Sequence, residues 1–259
     1  MKAIFIMTLM IFLSSCMSSP KIIKDIGYKT ISTQTLNLDL YAPKNPGPHP
    51  VVFTVHGGSW KGGDRWHMNS IAKKLAKEGF AVVNISYRFA PSFHYPAPIE
   101  DLTDAVLWAK EHEKEYNLDF SRINFWGYSA GSQISTLTAL NLSSKYSVKA
   151  IINGAGPLNF ELYPGDKVIA EYLGSSDIKS FSNASPINHI TKNTPPVFSY
   201  HSTNDHIVDI RHAKTFHEKL SSLNIENKIH EVPVLGHIMT FLFSAESVDL
   251  SIDFLKKHN

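Results

Sequence analysis

Residues Gly127-Tyr128-Ser129-Ala130-Gly131 set glycines two positions before and two positions after a serine. That spacing fits a sharp turn from a strand into a helix with the serine at its tip. A side chain at either glycine would strike the neighbouring strand or helix. The flanks supply both elements. Arg122-Ile123-Asn124-Phe125-Trp126 has the β-branched and aromatic content of a buried strand. The Ser/Thr-rich stretch SQISTLTALNL that follows is a weak helix former, yet it sets Ile134, Leu137 and Leu140 at helical spacing.

The rest of the chain alternates in the same way. Leu36, Leu38 and Leu40 interleave with polar residues as in a half-buried strand, and a Pro/Gly cluster from Pro43 to Pro50 ends it. Val51 to Val55 is a continuous apolar run, as in a strand covered on both faces. Met68 to Gly79 reads as an amphipathic helix, Phe80 to Ile85 as a strand, Ile99 to Tyr116 as a long helix and Val148 to Ile152 as a strand. Gly154 to Pro195 is looser, with helical turns near Lys167 to Leu173, and reads as an insertion over one end of a sheet. Val197 to Tyr200 (strand), Ile210 to Leu223 (helix), Lys228 to Val234 (strand) and Ser247 to Lys256 (helix) complete the pattern. Alternating strands and helices predict an α/β fold with a mostly parallel, doubly wound sheet in a single domain. With 43% hydrophobic and 19% charged residues among 259, one sizeable core is within reach. A formal charge of +2 without a Lys/Arg cluster gives no case for nucleic acid.

The first residues read as a targeting segment. Lys2 is a short basic region, and Ala3 to Leu13 is apolar but too short for a stable bilayer-spanning helix. Leu13-Ser14-Ser15-Cys16 resembles a bacterial lipobox, in which the cysteine is lipidated and becomes the first mature residue. Cys16 is the lone cysteine, and a thioether-linked lipid would remove the liability of a free thiol in an exported protein. The expected organisation is a signal peptide over 1–15, a tether over 16–27 and the folded domain over 28–259. The expected location is the bacterial cell envelope, held to membrane through Cys16. Met17 is not an aspartate, which by resemblance to sorting signals points to the outer membrane.

A serine hydroxyl needs a base to take its proton, and the base needs a carboxylate to orient it. With a turn of this kind the partners follow in the order serine, acid, histidine. His237 follows Gly236 in a loop after the strand ending near Val234, where the sheet edge presents loops to a shared site. His212 and His217 lie on a helix among charges and read as a solvated face, His230 lies within a strand, and His258 is at a frayed end. Asp205, just beyond the strand Val197 to Tyr200, reads as the acid. Asp209 competes as a helix cap, and His206 reads as a loop residue. Ser129 is then the expected nucleophile, His237 the base and Asp205 its orienting group. His56-Gly57-Gly58-Ser59-Trp60 follows the buried strand Val51 to Val55. Its glycines let backbone amides turn inward, so the expected oxyanion donors are Gly57 or Gly58, plus Ala130. There is no His-Glu-x-x-His and no cysteine for a ligand cluster, so neither metal nor cofactor is expected.

These segments together resemble the α/β-hydrolases of the hormone-sensitive-lipase-like and bacterial feruloyl/acetyl-esterase group. The resemblance runs from Leu38-Asp39-Leu40-Tyr41-Ala42-Pro43 to His237. It includes His56-Gly57-Gly58-Ser59-Trp60, Tyr87-Arg88-Phe89-Ala90-Pro91, Tyr95-Pro96-Ala97-Pro98-Ile99-Glu100-Asp101 and Ala184-Ser185-Pro186-Ile187. Ser132 departs from it, standing where the family often has a second glycine. The resemblance implies an esterase that works through an acyl-enzyme, with Tyr87 to Pro98 shaping one wall of the site and Trp60 and Tyr87 as substrate contacts. Related lipases carry a long N-terminal cap, and Ser18 to Leu36 is too short for one. An open cleft and an envelope location point to short acyl groups on carbohydrate, acetyl or feruloyl. An amidase or exopeptidase on the same three residues is the rival within enzymes. A non-catalytic surface-binding lipoprotein is the rival outside them.

Overall fold

The computed structural model describes residues 19–259. The expected signal peptide and Cys16 lie outside the described residues. Eight strands form one sheet in the order β1-β2-β4-β3-β5-β6-β7-β8. These are β1 (Lys21–Ile31), β2 (Gln34–Ala42), β3 (His49–Val55), β4 (Ala81–Ile85), β5 (Leu118–Tyr128), β6 (Val148–Gly154), β7 (Val197–Ser202) and β8 (Asn227–Val232). β1 pairs antiparallel with β2, and β2 antiparallel with β4. Every other neighbour is parallel.

Helices cover both faces, which is why the inner strands read as unbroken apolar runs. Val51, Phe53 and Val55 of β3 share one core cluster with Leu102, Ala105 and Val106. Those helical residues belong to α2 (Ala97–Glu111). Val52 faces the opposite side and joins Ile71, Leu75 and Leu255. These come from α1 (Asn69–Lys77) and α8 (Ala245–His258). Burying one such side chain contributes roughly 1.5–3 kcal/mol, so the two clusters hold the sheet rigid where its loops meet.

α3 (Ala130–Leu142) runs through the middle, with Ser132, Ser135, Thr136 and Thr138 all fully buried. Its polar composition is satisfied locally. Ser132 Oγ lies 2.7 Å from Gly127 O and 2.9 Å from Gly154 O, and Thr136 Oγ1 donates to Asn153 Oδ1 at 2.5 Å. The hydroxyl at 132 therefore ties the turn at Gly127 to the end of β6.

Residues 155–196 contain α4 (Lys167–Leu173) and α5 (Ile178–Ala184). α6 (Arg211–Ser222) and α7 (His237–Phe243) flank β8. Two expectations are corrected here. The tether expected over 16–27 ends early, because β1 begins at Lys21 and pairs with β2 through Ile31. His212 and His217 are not on a solvated face but buried, 3% and 6% exposed, on the same side of α6 as Ala213, Phe216 and Leu220. His217 Nε2 is 2.7 Å from Ser199 Oγ, and its Nδ1 is 2.9 Å from Asn227 Oδ1.

Candidate functional site

Ser129 sits at the tip of the turn between β5 and α3 with φ 53° and ψ −124°. A non-glycine residue at positive φ is strained and persists only when its surroundings demand it. Here the constraint is close packing. A Cβ built on Gly127 would lie 2.1 Å from Gly131 O, and one on Gly131 would lie 2.2 Å from Val55 O. The backbone N–H of Ser129 donates to Gly154 O at 2.8 Å. The side chain remains partly exposed.

Asp205 and His237 meet although they come from different loops. His237 Nδ1 donates to Asp205 Oδ2 at 2.6 Å. That bond places the ring proton on Nδ1 and leaves the Nε2 lone pair free to accept one. Asp205 Oδ1 accepts from the N–H groups of Ile207 and Val208, both at 2.9 Å. His201 Nε2 donates to Val208 O at 2.7 Å and stands 3.4 Å from Asp205 Oδ2. Burial alone would raise the Asp205 carboxyl, but hydrogen bonds from His201, His237 and Val208 hold it well below the ordinary carboxylate range. His237 is the first residue of α7 rather than a loop residue. Tyr128 fixes it from below: its hydroxyl donates to His237 O at 2.5 Å, with the two rings 5.3 Å apart.

The loop after β3 approaches from the other side. A Cβ on Gly57 would lie 2.9 Å from Ser129 Cβ and 3.7 Å from its Oγ, so the backbone at 57 passes directly over the serine. Among the described residues, no hydrogen bond occupies the N–H of Gly57, Gly58 or Ala130. His56 holds this loop. Its Nδ1 donates to Gly57 O at 2.7 Å, and burial lowers its pKa to about 4, so the ring stays neutral.

Two cavities meet at the serine. The larger, about 450 Å3, is lined by Trp60, Ala130, Tyr163, Asp209 and His212. The smaller, about 330 Å3, is lined by Gly57, His237, Ile238 and Phe241. Ser59, Ser129 and Ile207 line both. Ser129 and His237 thus share the smaller cavity, although among the described residues no hydrogen bond joins them. Trp60 lines the larger cavity. Its Nε1 donates to Gln133 Oε1 at 3.0 Å and its ring stacks on Tyr172 at 4.4 Å. Tyr87 is a correction. It lines neither cavity; it is buried, stacks on His56 at 4.5 Å and donates its hydroxyl to His56 O at 3.0 Å. Its place is behind the loop, as a support.

Asp209 does cap the start of α6, accepting from Arg211 N–H at 2.8 Å, and it also takes the Tyr163 hydroxyl at 2.8 Å. His206 is an exposed residue on the rim of the larger cavity. Tyr128, His201 and His212 are the site residues that sequence reasoning passes over. Tyr128 is the variable position of the turn motif. His201 lies near the end of β7, just before the acid loop. For His212 a signal exists, since Ala213, Phe216 and Leu220 mark the apolar stripe beside it.

The BD-FAE family model matches residues 38–220. This chain belongs to the BD-FAE family. Among curated relatives of this family member, a probable carboxylic ester hydrolase, LipM, of Mycobacterium tuberculosis is 28% identical over 228 residues. The match covers 80% of this chain and 53% of LipM. Esterase LipC of the same organism is 27% identical, covering 77% of this chain and 55% of LipC. The chain therefore spans about half the length of these curated relatives. Among solved structures, a truncated carbohydrate esterase from gut microbiota superposes with a TM-score of 0.83 at 21% identity, covering 93% of this chain and 96% of the other. A propionate-bound esterase from Thermogutta terrifontis gives 0.78 at 20%, covering 93% and 95%. The BD-FAE chain has the α/β-hydrolase fold of these esterases. Among the described residues no group of three or more His, Cys, Asp and Glu could hold a metal, and no helix is long and apolar enough to cross a membrane.

Proposed function

We propose that this chain is a serine esterase that hydrolyses carboxylic esters through an acyl-enzyme. Ser129 attacks the ester carbonyl while His237 Nε2 takes its proton. Asp205 keeps His237 in the Nδ1–H tautomer and stabilises the imidazolium that forms. The N–H groups of Gly57, Gly58 and Ala130 receive the oxyanion; each well-placed donor of this kind contributes about 3 kcal/mol. His237 returns the proton to the leaving alcohol, and water releases the acid by the reverse sequence. The observation that carries the reading is the 2.6 Å bond from His237 to Asp205 beside a serine held at φ 53°.

The substrates are short acyl esters borne on carbohydrate, acetyl or feruloyl. Two cavities of moderate size meeting at Ser129 leave room for the acyl and the alcohol halves of such an ester. A carbohydrate esterase among the structural neighbours is consistent with that class. A lipid on Cys16 holds the enzyme to the cell envelope. The test is a panel of p-nitrophenyl esters of increasing chain length beside acetylated and feruloylated saccharides and matching amides. Turnover of the short esters and of at least one saccharide ester is expected; hydrolysis confined to amides overturns the reading. Mass spectrometry of the N-terminus tests the anchor, and an unmodified Cys16 overturns it.

A further inference from the structure

The polar groups around the larger cavity are mostly committed to each other. The Tyr163 hydroxyl donates to Asp209 Oδ2 and accepts from Arg211 Nη2. Asp166 accepts from the N–H groups of Val168 and Ile169 at the start of α4. His212 differs. It lines the cavity with only 3% of its surface exposed. Its Nδ1 accepts the backbone N–H of Asn159 at 3.2 Å, which requires the ring proton to be on Nε2. Among the described residues, nothing accepts that Nε2–H. Burial lowers the His212 pKa to about 4, so the ring is neutral and holds this tautomer through the neutral range.

We propose that His212 is a specificity-determining residue whose Nε2–H donates to an acceptor oxygen carried on the acyl half of the ester. The inference rests on the serine-esterase reading above. Proton transfer assigns the two halves. The leaving oxygen takes its proton from His237, so the alcohol occupies the cavity that His237 lines. The acyl half then extends past Ala130 and Trp60 into the cavity that His212 lines. An ether, hydroxyl or methoxy oxygen there supplies a partner for this donor, which has none among the described residues and is open to the cavity. A plain alkyl chain leaves it unpaired, and sites built around a buried polar group reject analogues that cannot pair with it.

The test compares p-nitrophenyl methoxyacetate and methoxypropanoate with p-nitrophenyl butyrate and pentanoate. Each pair exchanges one oxygen for one methylene, and each kcat/KM is divided by the rate of hydrolysis in hydroxide alone. The wild-type enzyme is expected to prefer the oxygen-bearing acyl group by about tenfold, the worth of one good hydrogen bond. His212→Phe removes that preference by lowering kcat/KM for the methoxy esters about tenfold more than for the matched alkyl esters. His212→Gln, which keeps an N–H, retains part of it. The assignment is overturned if the wild-type enzyme shows no preference. It is also overturned if His212→Phe lowers both series alike, as loss of the Asn159 contact alone would do. A loss confined to esters with the oxygen in the alcohol half overturns it too. Labelling of Ser129 by a fluorophosphonate, read on the same preparations, separates the two readings. Labelled enzyme without an oxygen preference overturns the role of His212 alone, whereas unlabelled enzyme overturns both.

Discussion

Nδ1 of His237 stands 2.6 Å from Oδ2 of Asp205, across 32 positions of chain. Two loops at one edge of the sheet bring them together: residues 203–210 after β7 and residues 233–236 after β8. Val208 and Ile207 hold the carboxylate by their N–H groups, and Tyr128 holds the backbone of His237. The pair is therefore oriented before any substrate arrives.

Replacing Asp205 by Asn keeps its volume and removes its charge. The amide can present its NH2 to His237, which favours the wrong tautomer. Ester hydrolysis at neutral pH is expected to fall by roughly 10³–10⁴ in kcat. KM should change little, as initial-rate kinetics on p-nitrophenyl acetate would show.

The same carboxylate links stability to acid. Its folded pKa is depressed, so its contribution is fully present above the unfolded carboxyl value near about 3.9 and is lost as pH falls through the folded one. The melting-temperature gap between wild type and Asp205→Asn should be constant from neutral pH down to about 4 and narrow below it. A gap that widens in acid would contradict the hydrogen-bonding described.

Gly127→Ala places a methyl group 2.1 Å from Gly131 O. The backbone at 131 cannot retreat, because Gly131 itself packs on Val55 O. A loss of about 3 kcal/mol is expected in urea unfolding, with activity lost in whatever fraction still folds.

Asp101 has no exposed side-chain surface and receives Arg88 N and Arg88 Nε, both at 2.9 Å, and Lys29 Nζ at 2.8 Å. It fastens β1 and the segment after β4 to α2. Asp101→Asn leaves two cations short of a buried partner and should cost about 3 kcal/mol. The residue lines neither cavity, so kcat of the folded protein should be unchanged.

The parts of this fold that were legible are those whose pattern has one meaning. Val51 to Val55 must be a covered strand, and the serine between spaced glycines must be a turn. β1 was not legible: Lys21–Ile31 alternates weakly between exposed and half-buried positions, and its pairing with β2 carries irregularities near Ile23 and Gly27. α7 was missed for a related reason. His-Ile-Met-Thr-Phe-Leu-Phe buries only His237 and Thr240, leaving Ile238, Leu242 and Phe243 about 60% exposed, so its apolar residues do not mark the buried face. In the site, the three expected catalytic residues could be chosen by chain order. The groups that hold them in place could not, because Tyr128, His201 and His56 act through backbone carbonyls and ring stacking that no spacing rule encodes. Tyr87 shows the converse error: a motif tyrosine beside the site can serve by supporting a loop.

The central claim is that the Ser129 hydroxyl forms the covalent intermediate. Its most direct measurement is kcat/KM of Ser129→Ala on p-nitrophenyl acetate, with folding checked by circular dichroism. The expected result is a folded protein whose hydrolysis falls by at least roughly 10⁴. Hydrolysis by that variant at the wild-type rate would contradict the account.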